Sequence, residues 1–156
     1  MTKTNAMRLL DAAKIEYSVR EYAVDESDLS GVHAAETMGI DPDTVFKTLV
    51  AKNSSGEIRV FCIPVAYELD LKKCAAVAGD KRIVMVSMKE LLPLTGYVRG
   101  GCSPVGMKKS YPTYIDETAA LCERICVSAG MRGLQLELSP ADLAGFTGAV
   151  LADLIM

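Results

Sequence analysis

The chain holds a single histidine, His33, among 156 residues, and it has no tryptophan. His33 sits beside Ala34 and Ala35 in a short predicted helix, where a surface or boundary role fits better than a catalytic one. No His/Asp pair stands out as the partner of a serine or cysteine nucleophile, although such triads are defined by geometry and not by chain order. The five cysteines (Cys62, Cys74, Cys102, Cys122, Cys126) are odd in number and contain no CxxC pair. Their mostly apolar neighbours point to reduced thiols in a cytoplasmic protein. Cys122 and Cys126 are four apart without zinc-type companions, a spacing that suits packing better than ligation. A GxxxxGK[ST] phosphate loop is missing. There is no signal-peptide core at the N-terminus and no apolar run approaching a membrane span. Strong charge of one sign is missing too: a net charge of −3 does not suit a surface that grips nucleic acid throughout. What remains for chemistry is backbone amides, a lysine and groups supplied by the substrate, with no cofactor and no metal indicated.

What is present favours a well-filled core. Half of the residues are hydrophobic, and a chain of this length can bury roughly 68–70% of its unfolded surface without disulfides. One domain over 1–156 is expected, with no linker, repeat or low-complexity tract. Thr4 caps a predicted helix to about Ala13, with Met7, Leu10 and Lys14 at helical spacing. Residues 15–24 alternate like a strand. Ser30 and Gly39 bracket a short helix, and 45–52 pairs through the turn Asn53-Ser54-Ser55-Gly56 with 58–65 as a hairpin. Asp70 and Gly79 bracket the helix LKKCAAVA. After a short strand over 82–86, Ser87 and Glu90 form a capping-box pattern at the start of a helix that ends before Gly96. Strands follow over 113–116 and 124–128, around a short helix near 117–121. Leu134, Leu136 and Leu138 alternate with Gln135 and Glu137 as a half-buried strand. Ser139-Pro140 opens a last helix to about Phe146, and 150–155 adds a final strand. Short strands mixed irregularly with short helices give the fold class α+β, with a mixed, curved, barrel-like sheet flanked by those helices.

Residues 95–109, TGYVRGGCSPVGMKK, hold four glycines, three cations and no acid. Paired glycines allow φ > 0 or a close backbone approach, and successive amides in such a turn form a nest for an anion or oxyanion. A mobile surface loop is the alternative. Lys47 is the second point of interest: it shares a strand face with Val45, Leu49 and Ala51, where a charge is costly unless it snorkels or pairs. It reads either as a solvated edge lysine or as a cation at a pocket mouth that meets a phosphate or carbonyl oxygen.

FKTLVAK (46–52), the glycine stretch (95–109) and ICVSAGMRGLQLELSPADL (125–143), in that order, resemble the YbaK-type aminoacyl-tRNA deacylases. These are free-standing relatives of the editing domain of bacterial prolyl-tRNA synthetases. The resemblance covers nearly the whole chain and is similar in its motifs to the branch that clears Cys-tRNA(Pro). It implies that Lys47 contacts the phosphate of the terminal adenosine and that the backbone of Gly100 and Gly101 holds the ester carbonyl. It further matches Tyr22, Ser128 and Asp142 to substrate-binding positions, and Ser103 and Pro104 to the loop that shapes the site. The implied partners are the acceptor end of an aminoacyl-tRNA and a prolyl-tRNA synthetase. Hydrolysis by the substrate's own thiol would need no protein base. Two other implied readings stay open: an Ala-tRNA(Pro) deacylase using water, and a non-catalytic module for aminoacyl-nucleotide ligands. On this basis Gly101→Ala is expected to stop turnover with little effect on stability.

Overall fold

The computed structural model describes residues 3–156. In chain order its elements are α1 (Asn5–Ala12), β1 (Ser18–Glu21), α2 (Gly31–Met38), β2 (Phe46–Asn53), β3 (Ile58–Pro64), α3 (Leu71–Ala78), β4 (Ile83–Met85), α4 (Met88–Thr95), β5 (Thr113–Asp116), β6 (Ile125–Ser128), β7 (Leu134–Leu138), α5 (Pro140–Thr147) and β8 (Val150–Ala152). Local signals set most of these ends. Side-chain oxygens of Thr4, Ser30, Asp70 and Ser139 accept from amides in the first turns of α1, α2, α3 and α5. Gly39, Gly79, Gly96 and Gly148 close α2 to α5 in the left-handed region, where a Cβ would be strained.

Three local expectations are corrected. Lys14 lies beyond the end of α1, exposed and with φ 58°, so the buried face of that helix is Ala6, Met7 and Leu10. The strand expected over 15–24 is only four residues long, and β1 is an edge strand that pairs, among the described residues, with β7. The final strand expected over 150–155 covers only Val150–Ala152, while the short helix expected near 117–121 is present as a 3-10 helix whose start is fixed by the Asp116 carboxylate accepting from Thr118.

The α+β class holds, but the strands divide into two sheets. A three-stranded antiparallel sheet has the order β1-β7-β6, and a five-stranded mixed sheet has the order β4-β2-β3-β5-β8. A parallel bridge between Val45 and Cys126 joins them. The larger sheet stays open, because the three-residue strands β4 and β8 end it rather than pairing with each other.

Alternation along the strands builds a core on each face of the larger sheet. Phe46, Cys62 and Ile115 point toward the smaller sheet and pack with Ile125, Val127, Leu136 and Leu138, sealed by Met7 and Leu10 of α1 and Leu143 of α5. Ala51, Phe61 and Ile63 pack on the other side against Cys74 and Ala75 of α3. Buried Asp116 ties the C-terminal segment down by accepting from the Leu154 amide at 2.9 Å. No helix among the described residues is long and apolar enough to cross a membrane.

Candidate active site

On the side of β2 away from β3, β4 pairs only over 51–53 and the bridge to β6 falls at Val45, so among the described residues 46–49 have no strand partner there. A strand edge of this kind leaves backbone N–H and C=O groups free. It borders a cavity of about 530 Å³, within the ~300–1,000 Å³ range usual for small-molecule sites. The far wall comes from the smaller sheet, through Ser128 of β6 and Gln135 of β7, which are directly opposite each other in register. Ser87, Met88 and Leu91 of α4 and its cap form one end, and the glycine loop forms another through Arg99, Gly100 and Cys102.

Lys47 is among the residues that line this cavity. It follows the row of Leu49 and Ala51, as its alternation predicts, but it stands at the start of the strand, and its side chain remains 27% exposed. Its ammonium is 3.9 Å from a carboxylate oxygen of Glu68, whose side chain is 81% exposed. A pair this open to water contributes about 0–1 kcal/mol, so Glu68 does not fix the lysine in place.

The glycine loop is anchored from several directions. The Gly101 amide donates to the Val98 carbonyl at 3.0 Å, closing a turn in which Gly100 has φ 84°; a type II turn requires that sign at its third position. The Tyr97 hydroxyl donates to the Val105 carbonyl, and Arg132 Nε donates to the Arg99 carbonyl at 2.8 Å. A Cβ on Gly101 would come within 3.1–3.2 Å of the Met131 and Arg132 backbone, so this glycine lets two chain segments touch. Its amide is already spent inside the turn. The amides of Gly100 and Cys102, by contrast, have no hydrogen-bond partner among the described residues.

The family description of an aminoacyl-tRNA editing domain matches residues 29–146. The chain belongs to the aminoacyl-tRNA editing domain family. It is 46% identical over 153 residues, covering 97% of this chain and 93% of the relative, to an Enterococcus faecalis protein named as a candidate Cys-tRNA(Pro)/Cys-tRNA(Cys) deacylase. It is 33% identical over 100 residues to a Shouchella clausii proline–tRNA ligase, covering 64% of this chain but 17% of that much longer one. A solved structure described as a candidate trans-editing enzyme for prolyl tRNA synthetase superposes with a TM-score of 0.81 at 25% identity, over 99% of both chains.

Within this editing domain, four of the residues singled out from the sequence line the cavity: Tyr22, Lys47, Gly100 and Ser128. Gly101, Ser103 and Pro104 are buried behind its wall. The Ser103 hydroxyl is turned inward and accepts from the Val105 amide at 3.2 Å, so it shapes the loop rather than facing a ligand. Asp142 is not brought to the cavity. It is exposed in the first turn of α5, where a carboxylate favours the helix dipole and its own amide donates to Ser139. His33 is also outside, on the surface of α2 between Asp25 and Asp28.

Cys102 lines the cavity, and burial pushes its thiol up to about 12, so it stays protonated near neutral pH. The residue passed over in the sequence is Gln135. Alternation with the leucines placed it on a solvent face, yet β7 is the central strand of its sheet and four of its five residues, Gln135 among them, are buried. Gln135 is 6% exposed, and its side-chain oxygen has no partner among the described residues. An unpaired buried acceptor costs about 1–3 kcal/mol, which marks this oxygen as one the fold itself does not satisfy. The one legible signal was a polar residue inside the third family motif.

Proposed function

We propose that this editing domain hydrolyses the ester of misacylated tRNA in trans, with Cys-tRNA(Pro) as its main substrate. The observation that carries this is the near full-length 46% identity to the Enterococcus faecalis candidate deacylase. The site supports it through the groups it offers. In this reading Lys47 takes the phosphate of the terminal adenosine, and Tyr22 flanks the nucleotide. The free amides of Gly100 and Cys102 receive the ester carbonyl, with the Ser128 hydroxyl beside them. A preorganised amide donor to a developing oxyanion is worth about 3 kcal/mol, and holding the reacting groups together supplies more.

The nucleophile is the thiol of the cysteinyl group. Its sulfur attacks the ester carbonyl carbon, the carbon–oxygen bond to the ribose breaks, and the thiol proton ends on the ribose oxygen. The products are uncharged tRNA and a cysteine thiolactone, which water opens to cysteine. Cys102 does not take this role, because the neutral thiol is the weak form of the nucleophile.

The test is to charge one tRNA in turn with cysteine, alanine and serine and to measure deacylation. Cysteinyl-tRNA should be cleared at least tenfold faster than seryl-tRNA, with thiolactone detected by mass spectrometry, and Cys102→Ala should leave the rate nearly unchanged. Equal clearance of all three esters would mean that water attacks and that the alanyl ester is an equally good substrate.

A further inference from the structure

Two residues lining the cavity, Gly100 and Cys102, carry backbone donors without a partner among the described residues. The Ser128 oxygen is already occupied as the acceptor for the Gly130 amide at 3.1 Å. These groups suit a carbonyl oxygen. They do nothing for the α-ammonium of an aminoacyl ester, which is one carbon away from that carbonyl, carries three donors and accepts nothing. Glu68, the carboxylate on the cavity lining, is 81% exposed beside Lys47, where the nucleotide is expected. Gln135 is different. It is 6% exposed, it stands opposite Ser128 on the cavity wall, and its side-chain oxygen is unpartnered among the described residues. A terminal amide torsion is soft, so the oxygen can turn toward a bound donor at little cost.

Resting on the editing activity proposed above, we infer that Gln135 is a substrate-contacting residue whose side-chain carbonyl accepts a hydrogen bond from the α-ammonium of the aminoacyl ester. The ammonium and the ester carbonyl are thereby held at two points, by Gln135 on one side and by the Gly100 and Cys102 amides on the other. This two-point hold fixes rotation about the bond between Cα and the carbonyl carbon, and so fixes where the side-chain thiol lies relative to the carbonyl. A neutral acceptor suits this place, because a carboxylate would set a negative charge beside a thiol that must become a thiolate.

A substrate-by-variant cycle tests the assignment. One tRNA is acylated with cysteine and, separately, with 3-mercaptopropionic acid, which keeps the thiol and the ester but lacks the amino group. Deacylation by the wild-type protein, Gln135→Met and Gln135→Glu is then compared. Methionine keeps the shape without the acceptor, and melting curves confirm the fold. The readout is the ratio of ratios, because the intrinsic reactivities of the two thiols cancel between wild type and variant. Gln135→Met should reduce cysteinyl deacylation roughly 10- to 100-fold, the range of one hydrogen bond to a charged group, while changing the mercaptopropionyl rate by less than threefold. Gln135→Glu, which keeps an acceptor, should retain the discrimination that Gln135→Met loses. An equal loss on both esters in Gln135→Met, or an unchanged ratio, would overturn the assignment, and so would loss of discrimination in both variants alike. If the wild-type protein fails to clear the cysteinyl ester at all, the editing activity itself is refuted, an outcome separate from a flat cycle in an active enzyme.

Discussion

Lys47 and Gly101 show how differently two motif residues can act. Lys47 is held by little that is polar: its side chain is 27% exposed, and among the described residues its one ion pair is with the exposed Glu68 at 3.9 Å. Lys47→Ala should therefore leave the melting temperature within a degree or two but reduce deacylation about 10- to 100-fold, the worth of one charge-assisted contact to a phosphate. Wild-type rates in that variant would remove the lysine from the site. The packing around Gly101 points to a structural role beside the one expected from its motif. Its φ is not in the left-handed region, its amide is held by Val98, and the space for a Cβ is taken by the Met131 and Arg132 backbone at 3.1–3.2 Å. Gly101→Ala should cost about 1–3 kcal/mol of stability through overpacking, and activity should fall along with the displaced loop. A variant that melts like wild type yet is inactive would make Gly101 a purely functional residue.

At the scale of elements, α4 is the wall whose position depends on an acid. The Glu90 carboxylate accepts from the Ser87 amide at 2.9 Å, completing the capping box, and from Lys52 of β2 at 2.9 Å. These contacts hold its pKa down to about 2, the Ser87 backbone bond being the largest cause and Lys52 the next. A depressed carboxyl stabilises the folded state fully above its unfolded value near 4.5 and loses that contribution as pH falls toward about 2. Glu90→Gln should thus lower the urea midpoint at pH 7, and the gap from wild type should shrink by at least half at pH 2.5. A gap of equal size at both pH values would show that the charge is irrelevant to α4. The capping pattern was legible because it is written within four residues. The division of the strands into two sheets was not, because the pairing of β1 with β7 and of β3 with β5 joins segments more than fifty residues apart.

For the whole molecule, charge sets the reach of the contact with tRNA. The net charge is −3, while the glycine stretch carries three cations and no acid. An acidic body with one small basic patch releases few counterions from a nucleic acid, so contact should be confined to the acceptor end. Isolated protein at moderate salt should then clear Cys-tRNA(Pro) and Cys-tRNA(Cys) at rates within about threefold of each other, with selectivity supplied by a prolyl-tRNA synthetase acting in the same complex. A preference of more than tenfold for one tRNA, in the absence of any synthetase, would overturn this.

The sequence by itself determined the helix ends, the β2–β3 hairpin, the α+β class and the family, since caps, turns and motifs act over a few residues. It also singled out Lys47 and the glycine loop, because a cation in an apolar row and paired glycines are local anomalies. Tertiary structure alone decided which of the motif residues meet. It brought Tyr22, Lys47, Gly100 and Ser128 to one cavity, left Asp142 on the surface, and buried Gln135 on the cavity wall. Burial of that kind depends on what packs from distant parts of the chain, and an alternating pattern of leucines cannot report it.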